Sequence, residues 1–489
     1  MTGGSVTDGG APGGGRAGSG ATRSRGPGGD DVDPDARLEL VSGWGRTPVS
    51  ASRVVRPETR DELASAGKRA GPRGYIPRGL GRAYGDSAMN AGGTVVVSTG
   101  VSGLLELDEE TGLARVLAGT SLDALMREVV PRGWFVPVTP GTRFVTVGGA
   151  IAADVHGKDH HASGCFGQHV RSMVLALPDG TCLTLTPETH PEEFWATCGG
   201  MGLTGTIVEA TIALYPIETS LLLVDSDRAP DLDAALALLS EGGDHHRYSV
   251  AWVDLLAGGR HLGRSVLTQG NFAPLDALPA GHPHRADPLA YKPLEPLPTP
   301  PLPSGVINRL TMRAFNELWF RKAPRRRRDE LQSIGKFFYP LDMAANWNRM
   351  YGRQGFLQWQ FLIPFGAEDT LREILEALAA STDAPSALTV LKYFGEADPG
   401  PLSFPGPGWT FALDVPGGAR GGLGELLDRL DRRVADAGGR LYFAKESRMR
   451  PELVPVMYPR LDEWRAVRDR LDPDRQLVSD LARRLRLVV

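Results

Sequence analysis

Between Pro140 and Phe166 the chain reads P-G-T-R-F-V-T-V-G-G-A-I-A-A-D-V-H-G-K-D-H-H-A-S-G-C-F, and no other stretch restricts its fold as strongly. From Thr146 to Ala152 a glycine pair, Gly148 and Gly149, stands among residues with compact side chains. Glycine has no Cβ, so backbone here can approach a bulky ligand closely. Seven residues past Gly149 come His156-Gly157-Lys158, then His160 and His161, which bring ionisable groups beside that apolar cradle. A lone Gly-Gly pair more often marks a turn between core strands, and it takes the rest of the chain to decide.

Two further glycine-rich loops lie within reach. Arg78-Gly79-Leu80-Gly81-Arg82-Ala83-Tyr84-Gly85-Asp86 follows a short apolar stretch, and Phe194 to Gly205 runs into a β-branched strand at Ile207–Leu214. Between the first loop and the central stretch, strands are expected at Thr94–Ser98, Leu104–Asp108 and Leu113–Ala118. Ser121 reads as an N-cap, because Leu122, Leu125, Met126, Val129 and Val130 then keep the spacing of a one-faced helix. Ser172–Ala176 and Cys182–Leu185 alternate like paired strands around Pro178-Asp179-Gly180. Three glycine loops leaning on strands suggest one extended ligand laid across several loop tips.

The character changes near Ser220. Strands are expected at Leu221–Asp225, Ser249–Asp254, Phe356–Ile363, Ala387–Tyr393 and Trp409–Val415, with helices at Thr370–Ser381 and Leu423–Ala437. That order reads as an α+β layer with helices on one sheet face. Mobile loops are expected near 273–305, which is Pro-rich, and near 322–333, which carries Arg325 to Arg328. The first 37 residues, with twelve glycines in the first thirty, read as a disordered tail.

Composition excludes several classes. A net charge of −4 argues against nucleic-acid binding. Cys165, Cys182 and Cys198 form no C-x-x-C pair, and the histidines lack a trustworthy ligand spacing, so no metal is expected. No run approaches the ~18 apolar residues that span a bilayer, and no Sec signal is evident. The expected location is the cytoplasm or the periphery of the plasma membrane, with either face open. A Rossmann fingerprint, a P-loop, a G-x-S-x-G elbow and an H-E-x-x-H motif are all missing. What remains is backbone N–H groups suited to a pyrophosphate and an apolar run suited to a flat ring. Lys392, Gln358 and Gln360 alternate with apolar residues on expected strands, so they line either a pocket or a solvated sheet face. Lys445, between Phe443 and Glu446 in a strand-like segment, is either functional or a surface lysine paired with Glu446.

Taken together, the motifs R-G-x-G…Y-G-D, A-G-x-x-L-D-x-L, the central stretch, F-W-A-T-x-G-G-x-G-L-T-G, F-L-Q-W-Q-F, L-S-F-P-G-P-G-W, Y-x-A-K-x-S-R and Y-P-R-L-D-E-W resemble those of the vanillyl-alcohol-oxidase-type FAD flavoproteins near the aldonolactone oxidases. The resemblance runs from about residue 40 to 487, and within that family it points to the oxidases of a polyprenyl-phosphoryl ribose. It implies an α+β, two-domain fold with an antiparallel-sheet substrate domain. The FAD domain would comprise 38–219 and 438–489, and the substrate domain 220–437.

FAD, held non-covalently, would be contacted by Arg78, Gly79, Leu80, Gly81, Arg82, Ala83, Tyr84, Ala118, Gly119, Pro140, Gly141, Thr142, Thr146, Val147, Gly148 and Gly149. Further contacts would come from Ala152, Asp154, His156, Gly157, Gly202, Gly205, Ile207 and Tyr442. The substrate side would comprise Tyr84, Gly141, Lys158, Trp252, Gln358, Gln360, Lys392, Thr410, Ala412 and Lys445. Lys445 and His156 would be catalytic, and either could take the 2′-hydroxyl proton. The implied reaction is the first half of an epimerisation to the arabinose donor of cell-wall synthesis, and a separate NAD(P)H-dependent keto-reductase would complete it. Two departures stand out: Ala412 where relatives sensitive to covalent nitroaromatics have cysteine, and Thr410 where asparagine is common.

Overall fold

The computed structural model describes residues 36–488 except 244, 301–302, 304–305, 382–385, 387 and 418–421. The expected disordered tail therefore lies outside the described residues, apart from its last two.

Three sheets organise the chain. The first has four strands, in the order Arg37–Ser42, Val49–Val55, Thr94–Val97 and Tyr75–Arg78. The second has five antiparallel strands: Leu104–Asp108, Leu113–Leu117, Thr206–Ala213, Val170–Ala176 and Cys182–Leu185. The third has eight strands: Arg326–Ser333, Leu221–Ala229, Ser265–Phe272, Tyr248–Val253, Thr389–Phe394, Gly408–Pro416, Phe356–Pro364 and Arg440–Leu441. This is an α+β fold of the vanillyl-alcohol-oxidase type.

Alternation assigns each face of the large sheet. Odd-numbered residues of Phe356–Pro364 face the helices Glu368–Ala380 and Gly422–Asp436, where Trp359 Nε1 donates to Asp431 at 2.9 Å. Leu371, Ile374, Leu375 and Leu378 supply the apolar stripe that covers this face. The even-numbered residues face the other way. Cross-strand partners share a face, and the register pairs Gln358 with Asp414, Gln360 with Ala412, Lys392 with Thr410, Val390 with Ala412 and Trp252 with Val390. Register alone thus gathers Trp252, Gln358, Gln360, Lys392, Thr410, Ala412 and Asp414 on one face.

One expectation is corrected. The segment near 322–333 is no loose loop: Arg326–Ser333 is an edge strand paired with Leu221–Ala229, with Leu331 opposite Leu223. Its arginines face solvent at the sheet edge, where charge blunts strand-to-strand aggregation. Among the described residues of the segment near 273–305, Leu297–Pro298 pairs in parallel with Ala344–Ala345.

The C-terminal residues knit the first two sheets to the third. Arg440–Leu441 pairs with Leu362 and Phe361, and Tyr442 N–H donates to Gln360 O at 3.1 Å. Two residues later, Ala444 O accepts from Tyr84 N–H at 2.8 Å. Arg484 closes this junction by reaching both Asp86 and Glu446 at 2.8 Å.

Candidate active site

The central stretch is a short helix and not an open loop. Val147–Ala152 is helical, and Thr146 caps it by accepting from Gly149 N–H at 3.1 Å. Its glycines serve packing first: a Cβ on Gly148 would stand 3.0 Å from that of Ala118. The loop at Arg78–Tyr84 lies directly against this helix, since a Cβ on Gly79 would come within 2.1 Å of Thr146 Oγ1. Gly141 is different, because a Cβ there would meet nothing within 4 Å. That open backbone, beside the half-exposed Gly79–Ala83 loop, fits a cradle for the phosphates and ring of FAD.

Several of the residues expected at the cofactor have side chains engaged within the protein or backbone packed closely against it. Arg78 spends its guanidinium on the carbonyls of Ala88 and Ser42, and burial pulls its pKa down to about 10. Arg82 lies over the Trp44 ring at 3.8 Å and donates to Phe144 O. Asp154 turns inward at φ 41°, accepting from Gly167 N–H and Ser403 Oγ. Gly205 packs on Leu175, Gly119 on Ser98 O, and Gly202 against Pro77. Ile207 is buried in the core.

His156 sits where the sheets meet. Lys392 Nζ lies 3.0 Å from its Nδ1 and Gln360 Nε2 lies 3.0 Å from its Nε2. Phe394, Phe404 and Tyr442 enclose the ring. Burial, then the Lys392 charge, holds its pKa well below the usual imidazole value. Each ring nitrogen therefore has a protein group within hydrogen-bond distance, and accepting from Gln360 at Nε2 places the imidazole proton on Nδ1. Gln360 also donates to Thr410 Oγ1, whose hydroxyl donates to Phe361 O. Lys392 further donates to Gly157 O at 3.1 Å, and burial brings its pKa down to about 8. Tyr442 stacks on Phe404 and donates to Ala153 O at 2.7 Å.

Lys445 is not a surface lysine. It sits in a turn, with its ammonium 3.9 Å from the centre of the Tyr84 ring. Glu446, its supposed partner, binds Arg484 instead. Burial, opposed by Asp414 and reinforced by Lys392, lowers the Lys445 pKa to about 7. Lys158 reaches the same value through burial and the repulsion of Lys392, while donating to Phe337 O at 2.5 Å.

Sequence reasoning missed Asp414. It is buried, accepts from Gln358 at 2.6 Å and Tyr351 at 3.0 Å, and burial raises its pKa to about 7. Its place in W-T-F-A-L-D, two and four residues after Ala412 and Thr410, was the available signal. His160 also meets Cys165 and Asp398, with donor atoms within 4.8 Å of one another. Burial, then the Lys392 charge, lowers the His160 pKa to about 3.

The sequence is similar to known proteins. Residues 51–186 match the family described as FAD binding domain, and 424–485 match that described as D-arabinono-1,4-lactone oxidase. The decaprenylphosphoryl-β-D-ribose oxidase of Mycolicibacterium smegmatis is 44% identical over 454 residues, covering 92% of this chain and 97% of that protein. An L-gulono-1,4-lactone dehydrogenase of Mycobacterium tuberculosis is 24% identical over 464 residues, covering 91% and 99%. With 44% identity to the first of these over almost the whole length of both proteins, the chain belongs to the decaprenylphosphoryl-β-D-ribose oxidase family of FAD-dependent oxidoreductases.

Proposed function

We propose that this protein oxidises the 2′-hydroxyl of decaprenylphosphoryl-β-D-ribose, or a similar polyprenyl-phosphoryl ribose, to the 2′-ketone. The observation that carries this reading is the near-full-length match to an oxidase of that name, together with the lysine- and glutamine-bearing face that the sheet register assembles. The domain limits proposed are 38–219 with 438–489 for FAD and 220–437 for substrate. The Gly79–Tyr84 loop, Gly141 and the Val147–Ala152 helix would hold FAD, with Tyr442 and Lys445 at its substrate side. When bound, FAD supplies the hydride acceptor.

The protein's part is to hold the sugar and move one proton. Removing hydride from C2′ requires the 2′-hydroxyl proton to leave, and the base must be uncharged beforehand. His156 has both nitrogens engaged, so Lys445 is the better base. With a pKa near 7, much of it is free amine at neutral pH. Once protonated it becomes a cation beside the reacting centre, where negative charge accumulates. Asp414 steadies that cation, while Gln358 and Tyr351 fix Asp414. His156 acts as a positioning residue that holds Lys392 and Gln360 toward the substrate. A separate keto-reductase would consume the product, and contact with a membrane would be peripheral, since no described helix is long and apolar enough to cross one.

Anaerobic bleaching of the flavin tests the substrate. Farnesylphosphoryl-β-D-ribose should reduce it faster than xylitol, L-gulono-1,4-lactone or free ribose. Faster reduction by any soluble compound would move the protein to the alditol or aldonolactone oxidases.

Two smaller predictions concern the site's surroundings. The first glycine loop holds no histidine to attach the flavin. Acid precipitation should therefore leave the yellow colour in the supernatant, and colour in the pellet would refute non-covalent binding. Ala412 removes the thiol from the substrate face; Cys165 and Cys198 are buried, and the exposed Cys182 lies on the edge strand of the second sheet. Nitroaromatic suicide inhibitors should leave no adduct after turnover by intact-mass spectrometry, whereas Ala412→Cys should acquire one. An adduct on the unmutated protein would contradict this.

A further inference from the structure

The Arg309–Lys322 helix turns its apolar residues the wrong way for a soluble protein. Leu310 is 79% exposed, Leu318 67%, Trp319 46% and Phe315 44%. With Ala314 they form one stripe down the helix, because residues three and four apart share a face. The opposite side anchors the helix to the large sheet: Asn316, fully buried, donates to Asp254 at 2.8 Å, and Arg264 bridges Asp254 and Glu317. The helix is therefore firmly placed, and its apolar stripe is what it presents outward. Contiguous apolar patches are uncommon on soluble surfaces and mark contact sites.

Charge indicates the contact. Arg321 and Lys322 end the helix, and the exposed Arg325, Arg326 and Arg327 follow within five residues. An apolar stripe edged by cations matches a bilayer that carries anionic headgroups: Leu, Phe and Trp enter the acyl boundary while arginine and lysine stay among phosphates. Position supports the same occupant. Trp319 meets Trp252 edge-to-face at 6.5 Å, and Trp252 shares the sheet face of Lys392, Gln360 and Gln358.

We propose that the Arg309–Lys322 helix and the following basic run form an interfacial anchor that seats the protein on an anionic phospholipid surface, with the substrate face opening beside it. The choice of a bilayer as occupant rests in part on the reading that the substrate is a polyprenyl lipid. Such an anchor presents the substrate face to a ribose whose prenyl chain stays in the membrane.

Flotation of the full-length holoenzyme with vesicles, without substrate, tests this. Binding should be strong to phosphatidylcholine containing phosphatidylglycerol and weak to phosphatidylcholine alone. The double variant Leu310→Glu/Leu318→Glu should lose roughly tenfold or more of that binding. Arg325→Glu/Arg326→Glu should lose the preference for the anionic lipid. Both variants should keep their flavin and their vesicle-free rate with farnesylphosphoryl-β-D-ribose, since none of these residues lines the substrate face. Equal flotation of the Leu variant and the unmutated protein would overturn the anchor. So would unmutated protein that ignores vesicles but forms a dimer abolished by the Leu changes. Anionic flotation with no turnover of the ribosyl lipid would uphold the anchor and sink the substrate assignment instead.

Discussion

Lys445→Ala should fold and bind FAD, yet its flavin should bleach on the order of 10²–10³ times more slowly with substrate. The reason lies in where the amine sits. It is held against the Tyr84 ring, with Asp414 as its counter-charge, and burial has brought its pKa to about 7. The sign of the pH dependence follows. Since the free amine takes the proton, the reduction rate should rise with pH through about 7 and then level off. Lys445→Arg should not rescue the rate, because a guanidinium stays protonated throughout this range. Rapid-reaction absorbance at the flavin band reads all three outcomes. A variant that bleaches like the parent, or a parent whose rate falls through neutrality, would return the base to another residue.

The largest structural effect is expected at Arg484. Its guanidinium joins Asp86 and Glu446, whose side chains are only 5% and 3% exposed. Burial works against charge on Arg484, but the two carboxylates outweigh it and push its pKa up. Burial alone would push Asp86 toward its neutral form. Arg484→Ala strands both carboxylates, and breaking a buried pair in this way costs about 3–5 kcal/mol. Urea unfolding of the FAD-loaded protein should show a correspondingly earlier midpoint, with flavin release coinciding. A loss below about 1 kcal/mol, as for an ordinary exposed pair, would mean that water already screens the site.

The strands that carry the site were legible in the sequence because their two-residue alternation is strict. Trp409–Val415 was expected and Gly408–Pro416 is observed; Phe356–Ile363 was expected and Phe356–Pro364 is observed. Ser121 and the apolar positions behind it located the Leu122–Val129 helix. Two elements are illegible because their pattern is opposite to that of a core element. The Arg309–Lys322 helix hides because its apolar residues face outward. Arg326–Ser333 reads as a loop because an edge strand with both faces partly wet can be charged throughout. Arg37–Ser42 and Val49–Val55 alternate too weakly to announce a hairpin. Asp414 is marked in the sequence only by its spacing from Thr410 and Ala412, and the register across to Gln358 gives that spacing meaning. The pairing of Glu446 with Arg484 spans 38 positions, which no local pattern reveals.

The Arg440–Leu441 strand has a practical consequence for anyone exchanging parts between relatives. A substrate layer lifted out at residue 437 would leave behind the outermost strand of its own sheet. The graft would then carry Gln360 into a new host whose Tyr442 and Lys445 were built against a different edge. Chimaeras joined there should assemble with the amine out of step with the sugar-facing residues. Junctions moved beyond Glu446 keep strand, turn and lysine as one piece. The host's Tyr84 loop must then be compatible with the incoming Ala444 carbonyl.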